Sequence, residues 1–251
     1  MNLILLFPED FTRTSRVCLS DYRAKHIREI HRATVGKTLK VGKAGGGVGD
    51  GTIVAIKGDT VELEVSIPDT VPETPQVSLI LALPRPQTLK KVLETIGAFG
   101  LRRLCLVDTD RVQKSFFSSK LLKDRAWMKH LRLGMEQGGR TYLPEMTVEP
   151  SLEKFFEKAD ALFPEAVKVI AHPGLEGSLW ETTLADGKHA ELVAAIGPEG
   201  GWLDREVEAF RKNGFLPIRL GTTTHRVENA VTALLAQVEF LKMYRNRSRG
   251  S

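Results

Sequence analysis

The sequence predicts an α/β fold in which a small region rich in β-strands precedes a larger region of alternating strands and helices. β-Branched runs separated by glycines fill the first region, at positions 38–41, 51–57 and 60–65, and this pattern is typical of short strands joined by turns. From residue 77 onward, apolar runs of strand length alternate with segments of helical spacing. This alternation favours a mostly parallel sheet flanked by helices.

Three prolines, Pro68, Pro72 and Pro75, separate the two patterns. Proline removes a backbone donor and fixes φ, so this composition disfavours both a helix and a central strand and suits a linker. We therefore expect one domain over residues 1–74 and a second over residues 75–251.

One helix is expected within the first region, because Ser20 or Asp21 can cap its start and Gly36 can end it. Helical spacing places four side chains on one face of this helix: Tyr22, His26, Ile30 and Ala33. The glycine-rich segment 45–51 does not have the spacing of a dinucleotide-binding fingerprint and is followed by a strand pattern. It is interpreted as a flexible hairpin loop.

The second region is predicted to begin with a strand at 77–83, followed by a helix and a strand at 104–107. Next we expect one long basic helix, capped by Ser118 or Ser119, with its apolar face formed by Leu121, Leu122, Met128, Leu131 and Met135. A strand at 146–148 and a further helix lead to three strands at 167–170, 192–196 and 216–220, with a helix at 206–212 before the last. A final helix is expected from about residue 230 to residue 244.

Positive charge is concentrated in two segments, although the formal net charge of the 251-residue chain is only +5. Residues 13–43 contain nine Lys/Arg against two Asp/Glu, and residues 111–140 contain eight against two. Such a local excess attracts a polyanion, and nucleic acid is the natural candidate. A solvated surface that only keeps the protein in solution is the alternative interpretation of either segment.

The two cysteines and the opening apolar run exclude several classes of protein. Cys18 and Cys105 are far apart and have no metal-like spacing to histidine, so neither a disulfide framework nor a metal site is expected. The apolar run 3–7 is too short for a membrane span and has no basic flank before it. The sequence therefore predicts a cytoplasmic protein that does not associate with membranes.

Three predicted strands each run into a turn that contains glycine or proline, at 171–174, 196–201 and 220–221, the last followed by residues 226–230. Ligands of parallel α/β sheets lie beyond the carboxyl ends of the strands, so these turns predict a ligand-binding site. Each turn alone could be a tight connection, and Arg226 and Glu228 could form a solvated ion pair. Asn229 is also well suited to cap a helix that begins at Ala230.

Taken together, these motifs resemble the ribosomal RNA small-subunit methyltransferase E family, over nearly the whole chain. The resemblance depends on the order of the following segments: Ala82-Leu83-Pro84, Asp110-Arg111, Glu136-Gln137 with Arg140, Pro144, His172-Pro173, Ile196 to Gly201, and Leu220-Gly221 with Arg226, Glu228 and Ala230. It implies a SPOUT-type knotted α/β methyltransferase domain preceded by a small PUA-like β-barrel domain that holds RNA. It also implies a homodimer that uses S-adenosyl-L-methionine (SAM) to methylate N3 of a uridine in small-subunit ribosomal RNA, within the small subunit.

The resemblance further implies roles for individual residues. The cofactor-binding set would be Leu83, His172, Pro173, Gly174, Ile196, Gly197, Glu199, Gly200, Gly201, Leu220, Gly221, Arg226, Asn229 and Ala230. As a hypothesis, Arg226 and Glu228 would be catalytic. Arg226 would steer a phosphate or stabilise negative charge on the uracil oxygens, and Glu228, with Glu199 as the alternative, would be the nearest base. The resemblance and the two basic segments together indicate which residues contact RNA. The candidates are Arg13, Arg16, Arg23, Lys25, Arg85, Arg111, Lys114 and Arg140.

The chain departs from the family pattern at a few positions near this predicted site. Thr224-His225 precede Arg226 where the family has two apolar residues, Asn229 replaces a threonine, and Arg85 replaces a lysine. Two alternatives therefore stay open: a methyltransferase of the same class that acts on another RNA or base atom, and an RNA-binding relative without catalytic activity.

Overall fold

The computed structural model describes residues 2–182 and 191–249, which fall into two compact units. The first comprises Met1–Thr74, Gly97–Gly100 and Arg132–Leu143. The second comprises Pro75–Ile96, Leu101–Leu131 and Pro144–Ser251.

The first unit is built on a six-stranded sheet. Its elements are β1 (Ile4–Leu6), β2 (Phe11–Arg13), β3 (Arg16–Leu19), α1 (Tyr22–Glu29), β4 (Thr38–Lys43), β5 (Val48–Lys57) and β6 (Thr60–Ser66). The strand order is β1-β4-β5-β6-β3-β2, in which β1 and β4 are parallel and the other pairs antiparallel. Alternate residues of the long strands point to one core, because successive side chains of a strand face opposite sides.

Helix α1 is capped as predicted but is shorter than predicted. The Asp21 side chain accepts a hydrogen bond from the Arg23 amide, and the helix ends at Glu29 rather than near Gly36. Its buried residues are Arg23, Ala24 and Ile27. The core side of the helix therefore includes a charged residue that is neutralised by an ion pair.

The glycine-rich segment is mainly strand rather than loop. Gly45, with φ of +71°, lies in the turn, whereas β5 begins at Val48 and includes Gly49 and Gly51. A Cβ atom at Gly49 would lie 2.0 Å from the Ser66 carbonyl oxygen. Glycine is required there because the neighbouring backbone approaches closely.

The second unit contains a six-stranded parallel sheet with helices between its strands. Its elements are β7 (Val77–Ala82), α2 (Pro86–Phe99), β8 (Arg103–Val107), α3 (Lys120–Lys123), α4 (Trp127–Gly138), β9 (Glu145–Glu149), α5 (Leu152–Leu162), β10 (Val167–Ala171), β11 (Leu192–Ile196), α6 (Asp204–Lys212), β12 (Leu216–Ile218) and α7 (Val227–Arg249). The last residues of α2 and α4 are assigned to the first unit. The strand order is β12-β10-β11-β7-β8-β9, and every pair is parallel.

The alternation of strands and helices is confirmed, and three details of the prediction are corrected. The long basic helix is split into α3 and α4, because Arg125 has a left-handed φ of +52° between them. Strand β12 ends at Ile218, two residues before the predicted end. Helix α7 begins at Val227, so Asn229 lies inside its first turn and does not cap it. In the described ranges, no helix is long and apolar enough to cross a membrane.

Candidate ligand-binding cleft

A cleft of about 1130 Å³ lies beyond the carboxyl ends of β10, β11 and β12 in the second unit. It is lined by three segments that follow these strands, by the first turn of α2 and by Arg85, which precedes that helix. We call it the glycine cleft, after Gly197, Gly200, Gly201 and Gly221 in its lining. The predicted meeting of the three strand-end turns is confirmed: adjacent parallel strands bring their carboxyl ends to one edge.

The turn after β11 forms one wall of the cleft. The Gly201 amide donates to the Pro198 carbonyl at 2.8 Å, and Gly201 has φ of +73°, which favours glycine. A Cβ atom at Gly197 would lie 3.2 Å from both the Trp202 ring and its amide nitrogen. The turn therefore requires glycine both for its dihedral angles and for its packing.

Trp202 is a buried part of the lining that the sequence analysis did not identify. Its ring is 3% exposed and lies 4.9 Å from the Phe210 ring, edge-on. Its indole Nε1 is buried and has no hydrogen-bond partner in the described chain. A buried donor without an acceptor is costly, so its position in a cleft lining indicates a site that a ligand acceptor completes.

Glu199 holds the start of α2 against this turn. Its Oε1 accepts hydrogen bonds from the Arg85 amide at 3.1 Å and from Thr88 Oγ1 at 3.3 Å. Because the first amides of a helix lack partners within the helix, an anion is favourable at this end. Glu199 therefore orders the cleft wall, and the acceptor capacity of its Oε1 is already used.

Arg111 braces the same turn from the other side. Its Nη1 donates to the Gly200 carbonyl and, at 3.5 Å, to the Gly201 carbonyl. The preceding residue, Asp110, pairs with Arg205 at 2.6 Å, and its amide donates to Glu206. Arg111 was expected to contact RNA, but its guanidinium is engaged within the protein.

Arg226, Glu228 and Lys91 form the charged part of the cleft. Glu228 Oε1 accepts from Lys91 Nζ at 3.2 Å, and the Glu228 side chain is 16% exposed. A hydrogen bond from its own amide and the Lys91 ammonium hold the pKa of Glu228 below its ordinary value, despite its partial burial. Arg226 is exposed and makes no ion pair within 4 Å in the described chain.

Most of the predicted cofactor residues line the cleft. These are His172, Pro173, Ile196, Gly197, Glu199, Gly200, Gly201, Leu220, Gly221, Arg226 and Ala230. Three do not: Leu83 is 1% exposed within the core, Gly174 follows the lining residues, and Asn229 is exposed on α7. Gly174 supports the site indirectly, since its amide donates to Nδ1 of His172 at 3.0 Å.

Lining residues that the sequence analysis missed include Lys91, Gln113, Phe116 and Trp202. Lys91 follows α2's start by five residues, and its pairing with Glu228 spans 137 positions of sequence. The chain pattern gave no indication of such a contact. Arg85 was predicted to contact RNA and also lines the cleft.

The remaining candidates for RNA contact differ in accessibility. Arg13, Lys25, Lys114 and Arg140 are exposed, as is Arg16, although Arg16 pairs with Glu64 at 3.0 Å and Lys114 with Asp108. Arg23 is 4% exposed, and both of its terminal nitrogens bind Asp10 at 2.7 Å. Arg23 therefore does not belong to the exposed basic surface.

The segment of the chain that contains this cleft matches a known protein family. The RNA methyltransferase domain model matches residues 72–239, which include every residue of the cleft lining. The chain belongs to the RNA methyltransferase domain family.

Two curated relatives carry the same name, ribosomal RNA small subunit methyltransferase E. The protein from Treponema pallidum is 26% identical over 240 residues, which cover 95% of this chain and 90% of the relative. The protein from Synechocystis is 25% identical over 239 residues, which cover 95% of this chain and 77% of the relative.

Solved structures show the same fold at lower identity. A ribosomal RNA small subunit methyltransferase E from Neisseria gonorrhoeae, bound to S-adenosyl methionine, has a TM-score of 0.77 at 22% identity and covers 96% of this chain and 98% of its own. A Legionella pneumophila structure described as a methyltransferase with bound SAM has a TM-score of 0.78 at 22% identity. The match covers 95% of this chain and 98% of the Legionella chain.

Proposed function

We propose that the protein is a SAM-dependent methyltransferase that modifies N3 of a uridine in small-subunit ribosomal RNA. The observation that carries the proposal is the glycine cleft, which lies beyond parallel strand ends inside the segment that the RNA methyltransferase model matches. Support for the cofactor and the substrate comes from the names of the relatives and from the SAM-bound structures of similar fold.

The residues of the cleft fit SAM. The volume of about 1130 Å³ exceeds the range of roughly 300–1000 Å³ that is usual for small-molecule sites, which leaves space for a nucleobase beside the cofactor. The Trp202 indole offers an unused donor, and the carboxylates of Glu199 and Glu228 suit a cationic sulfonium. The turns at 172–173, 196–201 and 220–221 would hold the cofactor, which supplies an electrophilic methyl group.

The charged residues favour an electrostatic role over general-base catalysis. A carboxylate whose pKa is lowered, as that of Glu228 is, is a weak base for the N3 proton of uridine. Arg226 and Lys91 are cations on the same lining, and cations stabilise charge that develops on uracil oxygens. We assign Arg226 and Lys91 to stabilising the deprotonated uracil, and Glu228 to positioning Lys91.

Several broader features belong to the same proposal. The parallel sheet of the second unit would carry the trefoil knot of the SPOUT class, and the strands of the first unit a PUA-like barrel. We place the domain boundary near residue 74, and we expect a cytoplasmic homodimer that acts on RNA within the small ribosomal subunit.

The first experiment is mass spectrometry of nucleosides from ribosomal RNA incubated with the protein and SAM. The expected product is N3-methyluridine, and transfer of label to another base atom would indicate the alternative specificity. If mass spectrometry finds no methylated product and calorimetry finds no SAM binding, the protein is an RNA-binding relative without activity.

The assignment of charges has its own test. Arg226→Ala should lower kcat by about 10²–10³-fold, the usual effect of removing one group that stabilises developing charge. Lys91→Ala should move the rising limb of the pH–rate profile to higher pH, because the uracil N3 proton becomes less acidic. If Arg226→Ala and Glu228→Ala both methylate at the wild-type rate, these roles are wrong.

A further inference from the structure

A groove in the first unit is lined by side chains of α1 other than its buried residues Arg23, Ala24 and Ile27. Tyr22 and His26 lie one turn apart on α1, and Ile30 follows its last residue. All three line a cavity of about 340 Å³. The other lining residues are Lys25, Glu29, Leu133, Glu136 and Gln137. We call this cavity the α1 groove.

Tyr22 is held in a fixed orientation within the α1 groove. Its hydroxyl donates to Glu136 Oε2 at 2.9 Å, and Glu136 Oε1 accepts from the Leu5 amide at 3.3 Å. Glu136 is 1% exposed, so the acceptor cannot move into solvent. A ring fixed in this way is a preorganised surface for stacking.

His26 and Ile30 extend this surface toward solvent. Burial lowers the pKa of His26, so its ring is mainly neutral at pH 7 and provides an aromatic face rather than a charge. Its ring lies edge-on to His31 at 4.8 Å. Ile30 is 69% exposed, so its aliphatic side chain is accessible to a ligand of the groove.

The surroundings of the groove are basic. Lys25 is exposed on its lining, 3.9 Å from the Glu29 carboxylate of the same lining. Helix α1 lies within residues 13–43, which contain eight Lys/Arg besides the buried Arg23, against two Asp/Glu. Aromatic side chains beside cations are how proteins bind single-stranded nucleic acid, with bases stacked on rings and phosphates near Lys or Arg. The volume is at the lower end of the range for small-molecule sites, which suits one base.

We propose that the α1 groove receives one unpaired base of single-stranded RNA, stacked on Tyr22 and His26 and packed against Ile30, with a neighbouring phosphate next to Lys25. Glu29 and Gln137 supply an acceptor and an amide that can bond the edge of this base. The inference rests on the proposed function, because it requires RNA as the substrate. It adds a second contact, remote in sequence from the methyl-transfer cleft.

Fluorescence anisotropy with a short, labelled single-stranded RNA and the full chain, without SAM, tests the groove. Loss of one stacked base weakens binding by about fivefold to 100-fold, so His26→Ala and Ile30→Ala should each fall in this range. Val35→Ala is the matched control for Ile30→Ala, since Val35 is an aliphatic residue of the same unit that is 60% exposed and lies outside the groove.

Salt dependence separates stacking from charge. Lys25→Ala should reduce the slope of log affinity against log salt by about 1, because one phosphate contact is lost. His26→Ala and Ile30→Ala should weaken binding without changing this slope. A purely structural defect would not produce this division.

Photocrosslinking gives a readout in the wild-type protein. An oligonucleotide containing 4-thiouridine should crosslink to Tyr22 or His26, located by mass spectrometry of the peptides. Unchanged RNA affinity in the His26 and Ile30 variants, with no crosslink on α1, would overturn the inference and leave the groove as a surface for a protein partner.

The outcomes for the groove and for the proposed function are distinguishable. If SAM binds and RNA is methylated while the groove variants bind RNA normally, the groove inference fails alone. If the groove variants lose RNA affinity but no methyl transfer is observed in the wild type, the methyltransferase proposal fails alone.

Discussion

At the scale of single residues, partners decide what a charged side chain does. Arg23 was grouped with the RNA-contacting residues because it lies in a basic segment. In the structure, burial by itself lowers its pKa, but hydrogen bonds to Asp10 and Asp21 outweigh burial and raise it. It also donates to the Leu5 carbonyl at 2.5 Å. Arg23 is therefore part of the core of the first unit.

Removing the partner of Arg23 should destabilise the protein. Asp10→Ala leaves a buried guanidinium without its bidentate acceptor, and we expect a loss of about 3–5 kcal/mol in the free energy of unfolding. Urea unfolding followed by circular dichroism measures this loss. Arg16→Ala breaks an exposed ion pair and should leave the midpoint close to that of the wild type. Equal midpoints for both variants would contradict the structural role of Arg23.

Glu136 should make stability depend on pH. Burial raises its pKa from 4.5 to about 7, although hydrogen bonds from Tyr22 and Leu5 act in the opposite direction. As pH rises above 4.5, the unfolded chain releases this proton before the folded chain does. The contribution of Glu136 to stability is therefore fully present below pH 4.5 and is lost as pH rises to about 7.

Glu136→Gln tests this dependence. The raised pKa corresponds to about 3 kcal/mol, so the wild type should lose about that much stability relative to the variant between pH 4.5 and pH 8. The difference between the two proteins removes the contribution of all other titrating groups. Stability curves that stay parallel over this range would show that Glu136 ionises normally in the folded state.

At the scale of elements, the periodicity of apolar residues in the sequence identified most strands and helices. It did not identify which face of α1 is buried. The residues Tyr22, His26 and Ile30 have the spacing of an apolar face, yet they line a groove while Ala24 and Ile27 are buried. The spacing of the apolar residues shows that the helix has an apolar face. Which face packs inward depends on the sheet beneath it and on the ion pair that allows Arg23 inside.

The turn after β11 is the element whose shape the proposed cofactor site requires. Gly197→Ala places a Cβ atom 3.2 Å from Trp202, which forces the turn or the indole to shift. We expect its SAM affinity to fall about tenfold or more, measured by calorimetry, because roughly 1.4 kcal/mol of lost fit corresponds to a factor of ten.

Gly174→Ala is the matched control for this measurement. A Cβ atom at Gly174 would lie in ordinary contact with His172, at 3.4 Å, and this glycine does not line the cleft. Its SAM affinity should stay within about twofold of the wild type. A large loss for Gly174→Ala would instead support the sequence-based expectation that this residue contacts the cofactor.

At the scale of the whole molecule, the chain forms two units, each with its own six-stranded sheet. Every residue that lines the glycine cleft belongs to the second unit, and every residue that lines the α1 groove belongs to the first. The proposed transfer of a methyl group and the proposed RNA contact are thus assigned to different units.

Ligand binding should therefore stabilise the folded chain by mass action. SAM at about 100 times its dissociation constant is expected to add about 2.7 kcal/mol of stability, provided that it binds only the folded state. Hydrogen exchange should show greater protection in the second unit, which contains the cleft. Adenosine at the same concentration controls for binding of the nucleoside part of SAM alone. No stabilisation by SAM would count against the proposed cofactor.

The sequence by itself determined the alternation of strands and helices and the meeting of three turns at one edge. Both features depend on the spacing of apolar residues along the sequence and on the geometry of parallel strands. These rules apply wherever such patterns occur. Tertiary structure alone decided the pairing of Lys91 with Glu228, the engagement of Arg111 and the burial of Arg23. The reason is that the charge and accessibility of a side chain depend on atoms distant in sequence, which a local pattern does not contain.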